Sequence, residues 1–81
     1  MKVHNLKIKR EFFDHILLGS KRFEIRYNDR DYEVGDHLIL REYHGEDELL
    51  GTFLVVRVTY ITDYEQKDGY VVMGFEVVPN G

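Results

Sequence analysis

The chain has 81 residues, a net charge of −4 and no cysteine. That length suits one domain, residues 1–81, built on one small core. Without cysteine neither a disulfide framework nor a thiolate metal site can form, and no apolar run is long enough to cross a membrane.

Charge is unevenly placed. Residues 1–30 hold eight basic and four acidic side chains, and residues 31–81 hold three and eleven. A basic first third on an acidic body focuses an anionic ligand onto one face while the body repels bulk polyanion; a chance segregation on a solvated surface gives the same counts. The first residues, Met1 to His4, lack the apolar core of a signal peptide, so the expected setting is the cytoplasm.

Val3 to Ile8 alternates, with His4, Leu6 and Ile8 on one face, and reads as a first strand. Glu11 to Leu18 follows with Phe12, Phe13, Ile16 and Leu17 at the spacing of one helix face. Gly19 stands where that helix should stop, because glycine enters the left-handed conformation without strain. In the next strand Phe23 and Ile25 point one way, and Arg22, Glu24 and Arg26 the other. Asn28-Asp29-Arg30-Asp31 and Val34-Gly35-Asp36 carry turn chemistry. Strands are then expected over His37 to Tyr43, about Leu50 to Ile61, and Tyr70 to Val78. In the second of these Leu54, Val56, Val58 and Tyr60 form one apolar face. In the third Val71, Met73, Phe75 and Val77 align. His44 to Glu48 reads as an exposed hairpin loop, Thr62 to Asp68 as a polar loop, and residues 79–81 as a frayed tail. The expected fold class is α+β, mainly β. A small barrel of five to six strands with one N-terminal helix packed outside accounts for the strands that are apolar on both faces.

The residues that stand out chemically are Lys21, Glu24 and Arg26. Arginine offers a planar fork and lysine a point charge for a phosphate, a carboxylate or a base edge, and Glu24 can fix either cation or accept from an amine. The competing reading is a ladder of surface ion pairs. His4 sits on an apolar strand face, where a hydrogen-bonded core histidine competes with an acid–base group or ligand contact. Arg30 either extends the basic face or caps a turn. Tyr27, Tyr32 and Tyr43 offer stacking surfaces for unpaired bases, or plug the barrel rim. His44, Glu46, Asp47 and Glu48 match no metal-binding spacing, so neither metal nor cofactor is expected.

The order Gly19, Lys21, Glu24, Arg26 is the G-x-K-x-x-E-x-R signature, complete at all four positions. Together with His4-Asn5-Leu6-Lys7-Ile8, Asn28-Asp29-Arg30-Asp31, Val34-Gly35-Asp36, Leu38 to Tyr43 and Gly69-Tyr70-Val71-Val72, it resembles an uncharacterised bacterial and phage subgroup of the ASCH superfamily. That resemblance implies a PUA-like β-barrel in which the motif residues line a cleft beside the helix. It also implies either an RNA-binding module or an enzyme acting on nucleosides or RNA. Relatives that deacylate modified cytidine carry a hydroxyl where this chain has Glu24. They also carry a carboxylate in the last strand that Tyr70 to Gly74 does not match.

Three functions are therefore carried forward. The first is a module binding RNA or a nucleotide-like ligand through Lys21, Glu24 and Arg26, with His4 and Arg30 at the edge of the site. The second is a small hydrolase of a modified nucleoside or RNA, with Lys21 and Glu24 as acid and base. The third is a protein-interaction module using the acidic face around Glu46, Asp47 and Glu48.

Overall fold

The structure is a computed structural model that describes residues 1–43 and 49–79, with the side chains of residues 49–51 left aside. The expected loop His44 to Glu48, its candidate metal ligands and the acidic face it would carry lie outside the described residues. The elements run β1 (Val3–Lys9), α1 (Arg10–Leu18), β2 (Phe23–Tyr27), β3 (His37–Tyr43), β4 (Leu49–Thr62) and β5 (Tyr70–Val77).

The protein is α+β and mainly β: five strands form one sheet in the order β1-β3-β4-β5-β2. The β1–β3 pair is parallel and the other three are antiparallel. β1 and β2, joined by a nine-residue helix, therefore stand at opposite ends of the sheet. In a flat sheet they would lie roughly 19 Å apart, four strand spacings, beyond the reach of any side chain. They are instead in contact. Arg26 Nη2 donates to the Lys7 carbonyl at 2.7 Å, and Arg30 Nη1 donates to the Asn5 carbonyl at 2.9 Å. The sheet thus curls into a half-barrel whose last gap is bridged by side chains, because no β1–β2 ladder is formed among the described residues.

The alternation of β1 buries His4, Leu6 and Ile8, and that of β3 buries Leu38, Leu40 and Glu42. With Val56, Val58, Val71, Met73 and Phe75 they line the concave side. Helix α1 adds Phe13 and Ile16 to the same core, while Phe12 and Leu17 stay about half exposed at its margins. It ends as expected. Gly19 has φ +83°, its N–H donates to the Ile16 carbonyl, and the Ser20 N–H donates to the His15 carbonyl. This is the pair of bonds that closes a helix through a left-handed residue.

Two face assignments change. Tyr60 does not continue the inner face of β4 and is 65 % exposed. Val58 pairs with Phe75 but Tyr60 pairs with Gly74, so Thr59 is an extra residue, a β-bulge. After it the alternation is inverted, and Ile61, opposite Met73, packs against the core. Val77 is also half exposed, at the end of β5. For β2 the sequence separates two faces without saying which is buried. Its charged face is the inner one: Glu24 and Arg26 pair with the core residues Met73 and Val71, whereas Phe23, Ile25 and Tyr27 face outward. The surface ion-pair ladder does not describe these residues.

Candidate functional site

Glu24 is the organising residue of the seam between β1 and β2. It is only 6 % exposed. A carboxylate on the core side of a small barrel requires partners, because an isolated buried charge is costly. It has two: Lys21 Nζ donates to Oε1 at 3.0 Å, and Arg26 Nε donates to Oε2 at 2.8 Å. Lys21 is fixed further by its 2.6 Å bond to the Phe23 carbonyl and by the rings of Phe12 and Phe23, whose centroids lie 5.5 and 4.8 Å from Nζ. Aromatic faces attract a cation placed over them. The helix-closing turn at Gly19 brings Lys21 back under α1, and the parity of β2 aims Glu24 and Arg26 to the same side.

These three side chains form the floor of a cavity of about 510 Å³. Its walls are largely aromatic: Phe12, Phe23, Tyr27, Tyr43 and Tyr70, with Ile25 among them. Lys7 and Lys9, at the end of β1, also line it. The strand β2 contributes from both faces because it is the last of the sheet. The volume falls within the range of small-ligand sites. One wall is set by a glycine: Gly69 has φ +83°, and a Cβ there would lie 2.5 Å from Cε1 of Tyr27. The Tyr27 ring rests on that bare backbone and meets Tyr70 edge-on at 5.5 Å between centroids.

The remaining sequence-derived candidates sit elsewhere. His4 is buried, with Nε2 at 2.9 Å from Oδ2 of Asp36 and its ring edge-on to Tyr32 at 4.8 Å. It does not line the cavity. Arg30 reaches the Asn5 carbonyl of β1 and is likewise absent from the lining. Tyr32, which with Tyr27 and Tyr43 offers either a stacking surface or a rim plug, is buried against His4. The Asn28 side chain accepts from its backbone N–H at 3.0 Å and folds the turn back, and burial pushes its phenol up.

Asp36 was not singled out by its turn position, yet it anchors the far end of the barrel. It is almost completely buried. Burial alone would push its carboxyl up, but the N–H groups of Lys2 and Glu33 and the His4 ring hold it down at about 2. Glu42 is a third buried carboxylate, 3.6 Å from Nε of Arg10. Its place on the inner face of β3 follows from the alternation Leu38, Leu40, Glu42. Lys9, Phe12 and Tyr70 join the cavity only through the closing of the sheet, which no local pattern reveals. No cluster that would hold a metal ion occurs among the described residues. No helix among them is long and apolar enough to cross a membrane.

The chain can be compared with known proteins on this basis. An uncharacterized 12.9 kDa protein in the GpA 3′ region of Escherichia phage P2 is 42 % identical to it over 62 residues, 76 % of this chain and 56 % of that relative. The chain therefore spans little more than half of the relative's length. Residues 3–75 match the model of the domain of unknown function DUF3850, and the chain belongs to that family.

Proposed function

We propose that the protein is a cytoplasmic, ASCH-like binding module of PUA-like type, whose seam cavity takes an unpaired RNA base or a free nucleotide. The observation that carries this reading is the combination in one cavity of a cationic floor, Lys21 and Arg26 held by buried Glu24, with walls of tyrosine and phenylalanine. Aromatic walls suit a planar base, and cations suit a phosphate or the acceptors of a base edge. The alternation of β2, read with the G-x-K-x-x-E-x-R signature, supports the same assignment. Glu24 acts here as an anchor. Both of its oxygens are taken by cations, which weakens it as the base of a hydrolytic reaction.

The test is a titration of the labelled protein with short single-stranded RNA, an RNA hairpin and mononucleotides at two salt concentrations. Chemical-shift changes should gather at residues 19–27, Lys9 and Tyr70. Affinity for RNA should fall as salt rises, with a slope set by the number of phosphates neutralised. Lys9→Ala, a change on the rim that leaves the Glu24 ion pairs intact, should weaken RNA binding and reduce that slope. Shifts that avoid the cavity altogether would remove the reading. Conversion of the ligand during the titration would move the protein to the hydrolase reading.

A further inference from the structure

The hydrogen-bonding groups on the cavity floor are almost all donors. Glu24 is the one acceptor side chain there, and each of its oxygens already receives a charge-assisted bond, at 3.0 Å from Lys21 and at 2.8 Å from Arg26. Its side chain is nearly enclosed. Lys21 gives two of its N–H groups to the Phe23 carbonyl and to Glu24 and keeps one. Arg26 gives Nε to Glu24 and Nη2 to the Lys7 carbonyl. Its guanidinium retains further N–H groups in a rigid, planar arrangement. Two anchors, one from β2 itself and one from the β1 backbone, fix the plane of that fork at the seam.

A floor of this kind discriminates between bases. We infer that the cavity selects a nucleotide whose inward edge carries acceptors, the O6/N7 edge of a guanine-type base, over adenine and cytosine, whose exocyclic amines would point donors at donors. This rests on the reading of the cavity as a nucleotide site and adds its specificity. The basis is the match between an arginine fork and paired acceptors, the contact by which arginine singles out guanine. A partly buried donor set against an amine loses that bond and some of its water, so the mismatch costs more than a missing contact.

The experiment is a titration of the wild-type protein with GMP, IMP, AMP, CMP and inorganic phosphate at one ionic strength, followed through the Arg26 Nε–H and the amides of Lys21 and Glu24. GMP and IMP share O6 and N7 and should bind at least about tenfold more tightly than AMP and CMP. A 7-deaza-GMP, which lacks one of the two acceptors, should fall toward AMP. Arg26→Lys keeps the charge and removes the fork, so it should level the four nucleotides while their salt dependence persists. Equal affinity for all four nucleotides in the wild type would overturn the inference and leave the nucleotide site standing. Inorganic phosphate competing as well as GMP would overturn it too, by placing an anion on the floor. Absence of binding by any nucleotide would overturn both the inference and the reading beneath it.

Discussion

Asp36 shows how much one buried side chain does in a barrel of this size. Its carboxyl is held at about 2 against an ordinary value of 3.8, by two backbone N–H groups and His4. A carboxyl lowered on folding stabilises the native state above its unfolded value and loses that contribution as pH falls toward the folded value. The contribution, about 2 kcal/mol, is thus complete above pH 5 and lost between about pH 4 and pH 2. Denaturant unfolding of the wild type should show that decline, and Asp36→Asn should be less stable by about 1–3 kcal/mol at pH 7, with a flatter profile below pH 4. Gly69 makes a different demand. Gly69→Ala meets both a left-handed backbone and the Tyr27 ring 2.5 Å away. It should cost about 1–2 kcal/mol from the backbone alone and displace Tyr27, which ring-proton shifts would register.

At the scale of elements, the sequence discloses local chemistry and conceals what distant strands do together. The alternations of β1 and β3, and the glycine that ends α1, were legible because each is written within a few consecutive residues. The bulge at Thr59 was not. The run Leu54 to Tyr60 alternates without a break, and only the partner strand, advancing one residue where β4 advances two, reveals the inversion. Deleting Thr59 tests this. The deletion removes only the extra residue, so Tyr60 should stay outward opposite Gly74 and Ile61 inward opposite Met73, now in an unbroken β4–β5 register that cross-strand amide contacts would report. The inner aspect of β2 was hidden for a related reason. Charged residues on a strand normally face water, and only an aromatic-walled gap at the end of the sheet gives Glu24, Lys21 and Arg26 one another as partners. The motif marked these three residues as a group, whereas their burial is set by β5 and α1.

For the molecule as a whole, the cavity lies where the two ends of the sheet meet. A ligand held there touches Lys9 of β1 and Arg26 of β2 together, and so ties the first strand to the last. Binding to the native state alone should raise stability by about 2.7 kcal/mol at a hundredfold excess over Kd, seen as a higher melting temperature. Amide exchange should slow along both β1 and β2 and change little in the β3–β4 pair, which already lies inside the sheet.

The bridging arginines have one more consequence. A strand at the end of a sheet offers a row of backbone groups to any extended chain that arrives, and a second copy of the protein is the nearest such chain. On β1 the carbonyls of Asn5 and Lys7, two residues apart and directed to the same side, are already taken by Arg30 and Arg26. The two guanidinium groups occupy the positions an intruding strand would need, and they bring positive charge to the place where a like copy would dock. Truncating both side chains would free these two carbonyls and leave β1 with an open edge of the kind that pairs with other strands.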